Sequence, residues 1–225
     1  MKPQEVEVFC KALCQGSRKM GIFLTRTQLE QMVCHAAQLE KWNRKINLTA
    51  ISGPAAMARK HFLDALAVQA FVKDAATVLD MGSGGGFPGL PLKVLNAGMQ
   101  VVLVDASRKK VHFLKHVIRL LGTGGIDVIH GRIQDLHHNP DYAGKFDAVL
   151  ARGVANLSSL AGLAAPLLHP EGTIYALKSP TAAAEEITGE LEKQFAVQCN
   201  NYTLPLEEAY RCLIRLTPIK KVPAS

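Results

Sequence analysis

Residues 78–92 read Val78-Leu79-Asp80-Met81-Gly82-Ser83-Gly84-Gly85-Gly86-Phe87-Pro88-Gly89-Leu90-Pro91-Leu92. A short apolar run ends in an acid, and glycines at 82, 84 and 86 then let the backbone turn sharply and approach a ligand closely. Pro88 suits the first turn of a following helix. Strand, glycine loop and helix in this order form a ligand loop at the carboxyl edge of a parallel sheet. Outward from this loop, short apolar runs alternate with helical segments. Strands are expected near 77–81, 100–105, 126–130, 146–151, 172–177, 195–200 and 211–216, with helices near 88–97, 107–121, 156–168 and 181–194. Such alternation gives an α/β fold, a mostly parallel sheet covered on both faces. The last two runs lack a clear crossover helix and are expected to pair as an antiparallel hairpin.

No strand is evident before residue 75, so the chain divides into an N-terminal helical extension, 1–73, and a Rossmann-like domain, 74–225. Within the extension, Thr27 and Glu30 form a candidate capping box. Leu29, Met32, Val33, Ala36, Leu39 and Ile46 then follow at helical spacing. Asn43, Asn47, Thr49 and Ser52-Gly53-Pro54 suggest a turn, and 55–73 read as one or two further helices. The tail 220–225 is expected to be loose.

Composition narrows the class. The 225 residues carry 26 Lys+Arg against 19 Asp+Glu, a net charge of +7, and the 48% apolar content supports a folded core. A basic surplus leans towards polyanionic partners such as nucleic acid. No stretch approaches about 18 uncharged apolar residues and the opening segment carries two acids. Neither secretion nor membrane insertion is expected, and the cytoplasm is the expected location. Five cysteines, odd in number and without a C-x-x-C pair, predict reduced thiols and no metal site. A monomer is expected.

Asp105 closes the second strand 19 residues after Gly86, where an acid can take both ribose hydroxyls of a nucleoside. Two cofactors compete for that site. Gly84, Gly86 and Gly89 satisfy the dinucleotide pattern G-x-G-x-x-G, yet Asp80 would repel a pyrophosphate. The same acid suits S-adenosylmethionine, whose ammonium and sulfonium are positive, and Asp80-x-Gly82-x-Gly84-x-Gly86 resembles the first motif of class I methyltransferases. The seven strands with an antiparallel last strand are similar to that fold.

After the fourth strand stand Leu150-Ala151-Arg152-Gly153-Val154-Ala155-Asn156. This is neither the Asn/Asp-Pro-Pro-aromatic tetrad of amine methylation nor a Pro-Cys nucleophile, so the acceptor should need little activation. Guanine N7 is such an acceptor, because its in-plane lone pair is unprotonated at neutral pH. Catalysis would rest on alignment and electrostatics rather than a general base. Arg152 is assigned to guanine O6, a phosphate or the cofactor carboxylate. Ser107 is a candidate cap for a helix whose first turn holds Arg108, Lys109 and Lys110, cations where the helix dipole prefers acids. Arg108, His112, Lys115 and Arg119 form one stripe along it. Lys178 ends the fifth strand and Arg211 begins the seventh, positions that can meet a substrate. Trp42 reads as interdomain packing.

The chain resembles the RsmG (GidB) family of bacterial small-subunit ribosomal RNA guanine-N7 methyltransferases over most of its length. The resemblance rests on Leu39-x-x-Trp42-Asn43-x-Lys45-x-Asn47-Leu48-Thr49-Ala50-Ile51, His61-Phe62-Leu63-Asp64-Ala65-Leu66, the glycine loop, Arg152-Gly153-Val154-Ala155 and Ala176-Leu177-Lys178. It implies the guanosine at position 527 of 16S ribosomal RNA, in the 530 loop, as substrate, free or in a small-subunit particle. It also implies cofactor contacts from Gly82, Phe87, Asp105, Ile133, Gln134 and Arg152, to which the reading of the strand ends and glycine loop adds Asp80, Ser83, Gly84, Gly86 and Ala106 as candidates. Arg152 and Lys178 are candidates to position the reactants; the resemblance places Lys178 and Arg211 on the RNA side, and Arg108, Lys109 and His61 are further candidates to face RNA. The chain departs from the family pattern at Arg132-Ile133-Gln134, Ala65 and Ser179-Pro180. A nicotinamide oxidoreductase and an RNA-binding module with a vestigial pocket stay open as alternatives.

Overall fold

The computed structural model describes residues 1–207 and 210–219; the tail expected to be loose lies outside them. Seven strands form one sheet in the order β3-β2-β1-β4-β5-β7-β6. They are β1 Thr77–Met81, β2 Gln100–Asp105, β3 Ile126–His130, β4 Phe146–Arg152, β5 Leu168–Lys178, β6 Phe195–Thr203 and β7 Tyr210–Pro218. β1 to β5 run parallel, and β7 is antiparallel to both β5 and β6. The expected hairpin is present, with β7 inserted beside β5 and β6 outermost. β1 lies between β2 and β4, so the strand order reverses there, and ligands of open parallel sheets bind at the carboxyl ends of such a switch point. The central strands are buried on both faces, which is why they read as apolar runs rather than alternations.

The extension is built from α1 Pro3–Lys19, α2 Arg26–Ile46 and α3 Pro54–Met57, which passes through a π turn, Ala58–Leu63, into α4 Asp64–Val72. The sheet carries α5 Gly89–Leu95, α6 Arg108–Leu121, α7 Leu157–Ala164, α8 Pro180–Glu186 and α9 Gly189–Glu192. α2 starts earlier than the Thr27–Glu30 reading. Thr25 Oγ1 accepts from Gln28 N at 3.2 Å and Gln28 Oε1 accepts from Thr25 N at 2.9 Å, while Glu30 pairs with Arg26 at 2.8 Å. Leu24 and Leu29 flank this box and both pack on the core, a hydrophobic staple available only in the earlier register.

The extension does not fold apart from the sheet. Phe9, Leu13, Met32, Leu39, Phe62 and Leu66 share one buried cluster with Val78, Leu90, Leu103 and Phe113. Residues 1–73 therefore pack onto the sheet face that carries α5 and α6, with α2 against both of these helices; Leu79, Val149, Leu160 and Ile174 belong to a second cluster. α2 lies antiparallel along α6. Gln31 Nε2 donates to Leu121 O at 3.0 Å, Gln38 Oε1 meets His116 Nε2 at 3.1 Å, and Trp42 packs edge-on against Phe113 at 5.7 Å between ring centroids. Trp42 is thus the interlayer packing residue the sequence suggested.

The polar end of α2 is a built turn. Asn43 Oδ1 accepts from Leu48 N at 2.6 Å and Thr49 N at 2.8 Å, and Asn43 Nδ2 donates to Thr49 O at 2.8 Å. Asn47 takes the left-handed conformation, φ 49°. All five cysteines are free thiols, and no described helix is long and apolar enough to cross a membrane.

Candidate active site

The alternate glycines of the loop all have positive φ, 66° at Gly82, 55° at Gly84 and 87° at Gly86, which L side chains rarely tolerate. Gly82 N and Ser83 N donate to Val104 O at 2.8 and 3.1 Å, folding the loop across the end of β2. Beneath it lies Asp80, fully buried. Its Oδ2 accepts from Gly89 N at 2.9 Å, and its Oδ1 is buried without a hydrogen-bond partner. Burial pushes its carboxyl up to about 7, against the opposing pull of the Gly89 amide and the Arg152 charge. The start of α5, where a dinucleotide pyrophosphate would rest, is therefore already taken by a carboxylate. That geometry disfavours the Gly84/Gly86/Gly89 register.

Gly89 meets a separate demand. A Cβ there would stand 2.5 Å from Leu103 Cδ2 and 2.8 Å from Asp80 Oδ2. Gly89→Ala is expected to push α5 off β1 and β2 and to destabilise the fold by about 2 kcal/mol, as overpacked cores do. Thermal unfolding would show this as a drop of roughly 4–8 °C.

Asp105 ends β2 as expected. Its Oδ2 accepts from Gly84 N at 3.0 Å and its Oδ1 from Ser107 N at 2.8 Å. Ser107 precedes α6, but its hydroxyl makes no cap bond. Each carboxylate oxygen keeps a lone pair for a ribose diol. Beside it opens a cleft of about 210 Å³ lined by Met81, Gly82, Asp105, Ala106, Ile133, Gln134 and Leu163 among others. Apolar walls with a carboxylate at the rim fit an adenosine, and the unpartnered buried oxygen of Asp80 fits a positively charged ligand end. The residues thus suit S-adenosylmethionine. Among the described residues no group of three or more His, Cys, Asp or Glu could hold a metal ion.

At the end of β4, Arg152 is held by the extension. Its Nη1 reaches Lys60 O at 3.3 Å and Asp64 Oδ2 at 3.5 Å, and its Nη2 donates to His61 Nδ1 at 2.8 Å. Arginine has only hydrogens to give, so Nδ1 accepts and Nε2 of His61 carries the proton, directed to Thr49 Oγ1 at 2.7 Å. Burial, reinforced by the Arg152 charge, pushes His61 down to about 3, and it stays neutral. Asp64 also accepts from Tyr202 Oη at 2.8 Å and faces Arg211 Nε at 3.8 Å. Among the described residues, Nε–H and one Nη2–H of Arg152 have no partner and remain available to a ligand.

Several expected roles change. His61, expected to face RNA, is buried and stacked on Phe87 with centroids 4.7 Å apart. Phe87, expected at the cofactor, is buried as well, stacked also on His35 at 4.7 Å, with the Arg152 guanidinium 5.1 Å from its ring centre. Its ring anchors the loop to the extension instead of offering a ligand surface. Lys178, expected to face RNA, is tied to Glu186 at 2.8 Å and to Ala155 O at 2.8 Å, so its charge is spent on the turn after β4. Arg211 is partly engaged by Asp64, whereas Arg108 and Lys109 are exposed.

The sequence reading missed His35, Tyr202 and Glu186. His35 Nε2 donates to Gly85 O at 2.7 Å; burial pushes this imidazole down to about 4, so it too stays neutral. The helical spacing of α2 marked only its apolar residues, and Tyr202 arrives from 138 residues away in sequence.

Comparison with known proteins agrees with this geometry. The profile of the family described as rRNA small subunit methyltransferase G matches residues 28–211. A Ribosomal RNA small subunit methyltransferase G of Geobacter sp. (strain M21) is 40% identical over 198 residues, covering 86% of this chain and 90% of the relative. That of Geobacter sulfurreducens is 38% identical over 211 residues, covering 92% and 96%. In fold, the chain is similar to a predicted O-methyltransferase from Agrobacterium tumefaciens, with a TM-score of 0.57, 18% identity, and 71% and 80% of the two chains covered. The chain belongs to the rRNA small subunit methyltransferase G family.

Proposed function

We propose that this protein transfers a methyl group from S-adenosylmethionine to N7 of a guanosine in small-subunit ribosomal RNA, at position 527 in the 530 loop. The observation that carries the reading is the pairing of a nucleoside cleft closed by Asp105 with a strand-end loop that holds Arg152 and no base or nucleophile. The cofactor supplies a methyl group on a positively charged sulfur, and guanine N7 takes it with its own lone pair, so no proton leaves the acceptor. The protein's work is then placement. Asp105 and the wall residues Ile133 and Gln134 fix the nucleoside end, Asp80 favours the cationic end, and the free N–H groups of Arg152 suit guanine O6 or a carboxylate. Because the acceptor nitrogen becomes cationic, the guanidinium belongs beside O6 and not against N7.

Lys178 enters as a strut. It joins Ala155 O to Glu186, whose Oε2 also accepts from Leu157 N at 2.7 Å, and thereby fixes a turn in which Gly153 and Ala155 have φ of 67° and 20°. Lys178→Ala and Glu186→Ala are therefore both expected to lower methyl transfer by about ten-fold, each loosening one side of the turn. If Lys178 bound phosphate, Glu186→Ala would instead free it and tighten RNA binding. Filter binding of a small-subunit RNA fragment to the two variants separates these outcomes.

The reaction is tested by incubating the protein with labelled cofactor and unmodified small subunits, digesting the RNA and separating its nucleosides. Label in 7-methylguanosine supports the proposal. Label in another nucleoside overturns the acceptor atom, and tight NADH binding without methyl transfer would restore the oxidoreductase.

A further inference from the structure

α6 carries Arg108, Lys109, Lys110, Lys115 and Arg119 and no acid in its 14 residues. Lys109, His112, Lys115 and Arg119 are exposed. Among the described residues none of these cations pairs with a carboxylate. Three of them sit in the first turn, where the helix dipole repels positive charge. The neighbouring helix compounds this. α2 lies antiparallel to α6 through the contacts Gln31–Leu121, Gln38–His116 and Trp42–Phe113. One helical turn further in the same register, Lys45 of α2 falls opposite Lys109 of α6, and Lys41 falls opposite His112. Lys41 and Lys45 are exposed and equally without a carboxylate partner among the described residues.

The outer rim of the α2/α6 groove thus carries lysines from both sides, with Lys45 facing Lys109. A protein gains nothing in stability from that arrangement, and a polyanion laid in the groove would relieve it. The groove is also well placed. α6 begins next to Ala106 in the cofactor cleft, and α2 touches the glycine loop through His35.

We propose that the α2/α6 groove, with Lys41, Lys45, Lys109 and His112 on its rim, holds the phosphate backbone of the RNA substrate and leads it to the cleft. This rests on the RNA methyltransferase reading above. Lysine contacts to phosphates carry no base readout, so the groove's contribution should be electrostatic and independent of sequence.

The test is the salt dependence of binding to a small-subunit RNA fragment containing the 530 loop. The protein, the double variant Lys45→Gln/Lys109→Gln and the control Lys19→Gln/Lys73→Gln are compared. Each lost phosphate contact lowers the slope of log K against log salt by about 0.7–0.9, so the groove variant should lose about 1.4–1.8. At 0.15 M salt that corresponds to roughly ten- to thirty-fold weaker binding. Cofactor affinity should not move and the melting temperature should not fall, and the control, equal in net charge, should keep the parent slope. A groove variant whose slope matches the parent's, or falls only as far as the control's, overturns the inference. If the unmodified protein itself neither binds nor methylates the RNA, the functional reading fails first and takes this one with it.

Discussion

Arg152→Lys is expected to reduce methyl transfer at saturating cofactor by about a hundred-fold or more, though the positive charge is kept. The guanidinium meets three acceptors of the extension at once, Lys60 O, His61 Nδ1 and Asp64, and retains two N–H groups for ligand. An ammonium is a point donor and cannot span that set in one plane. The substitution would leave His61 Nδ1, in a buried imidazole, without its donor, and weaken the neutralisation of Asp64, which is 4% exposed. Loss of stability of about 2 kcal/mol should accompany the kinetic effect, visible as a fall in Tm of roughly 4–8 °C. Cofactor affinity should fall by less than ten-fold, because the proposed arrangement gives the nucleoside end to Asp105 and not to Arg152. A variant that loses stability but transfers methyl at the parental rate would make Arg152 a structural strut only.

The second large effect concerns Asp80. Its carboxyl is raised to about 7 by burial beneath the loop, well above the value of an unfolded aspartate. The sign follows from linkage. The folded protein without cofactor holds this proton more tightly than the unfolded chain, so its stability declines as pH rises from about 4 to about 7, and the penalty is complete above that. Asp80→Asn keeps an oxygen for Gly89 N and removes the buried charge. At pH 8 the cofactor-free variant should therefore melt several degrees above the parent. Cofactor binding should change in the opposite direction. A cationic ligand favours the carboxylate, so affinity in the parent should weaken as pH falls below about 7, approaching ten-fold per pH unit. In Asp80→Asn affinity should be lower than the parent's at pH 8, approach it as the pH falls, and lose this dependence. Calorimetric titration with S-adenosylmethionine between pH 5.5 and 8 measures both arms, and an unaltered pH profile in the variant would remove Asp80 from cofactor recognition.

The sheet was legible because its strands are short apolar runs between turns, and the glycine loop because alternate glycines have one main use, which their positive φ values now display. Asp105 was legible for the same reason, as an acid at a strand end one helix after the loop. The outcome differed where long-range packing decides a role. His61 and Phe87 are polar or aromatic residues in motif positions, and nothing local states that they stack on each other inside the extension. Lys178 looked available because Glu186, eight residues on, becomes its partner only when α8 folds back on the sheet, against β7. The capping box slipped by two residues because two Thr-x-x-acid/amide patterns overlap, and the choice between them falls to Leu24 and Leu29 against the core. The N-terminal signature gained its meaning only from the structure. Asn43 builds the turn, the turn presents Thr49, Thr49 holds His61, and His61 holds Arg152. The extension is therefore half of the site.

The measurement that bears most directly on the central claim is the position of the methyl group. Small subunits from cells lacking the modification are treated with the protein and S-adenosylmethionine, their RNA is cleaved chemically at 7-methylguanosine, and the break is mapped by primer extension. A single new stop at position 527 in the 530 loop, strongly reduced with the Arg152→Lys protein over the same short incubation, is the predicted result. Methylation spread over many guanosines, or confined to another site, would contradict the account.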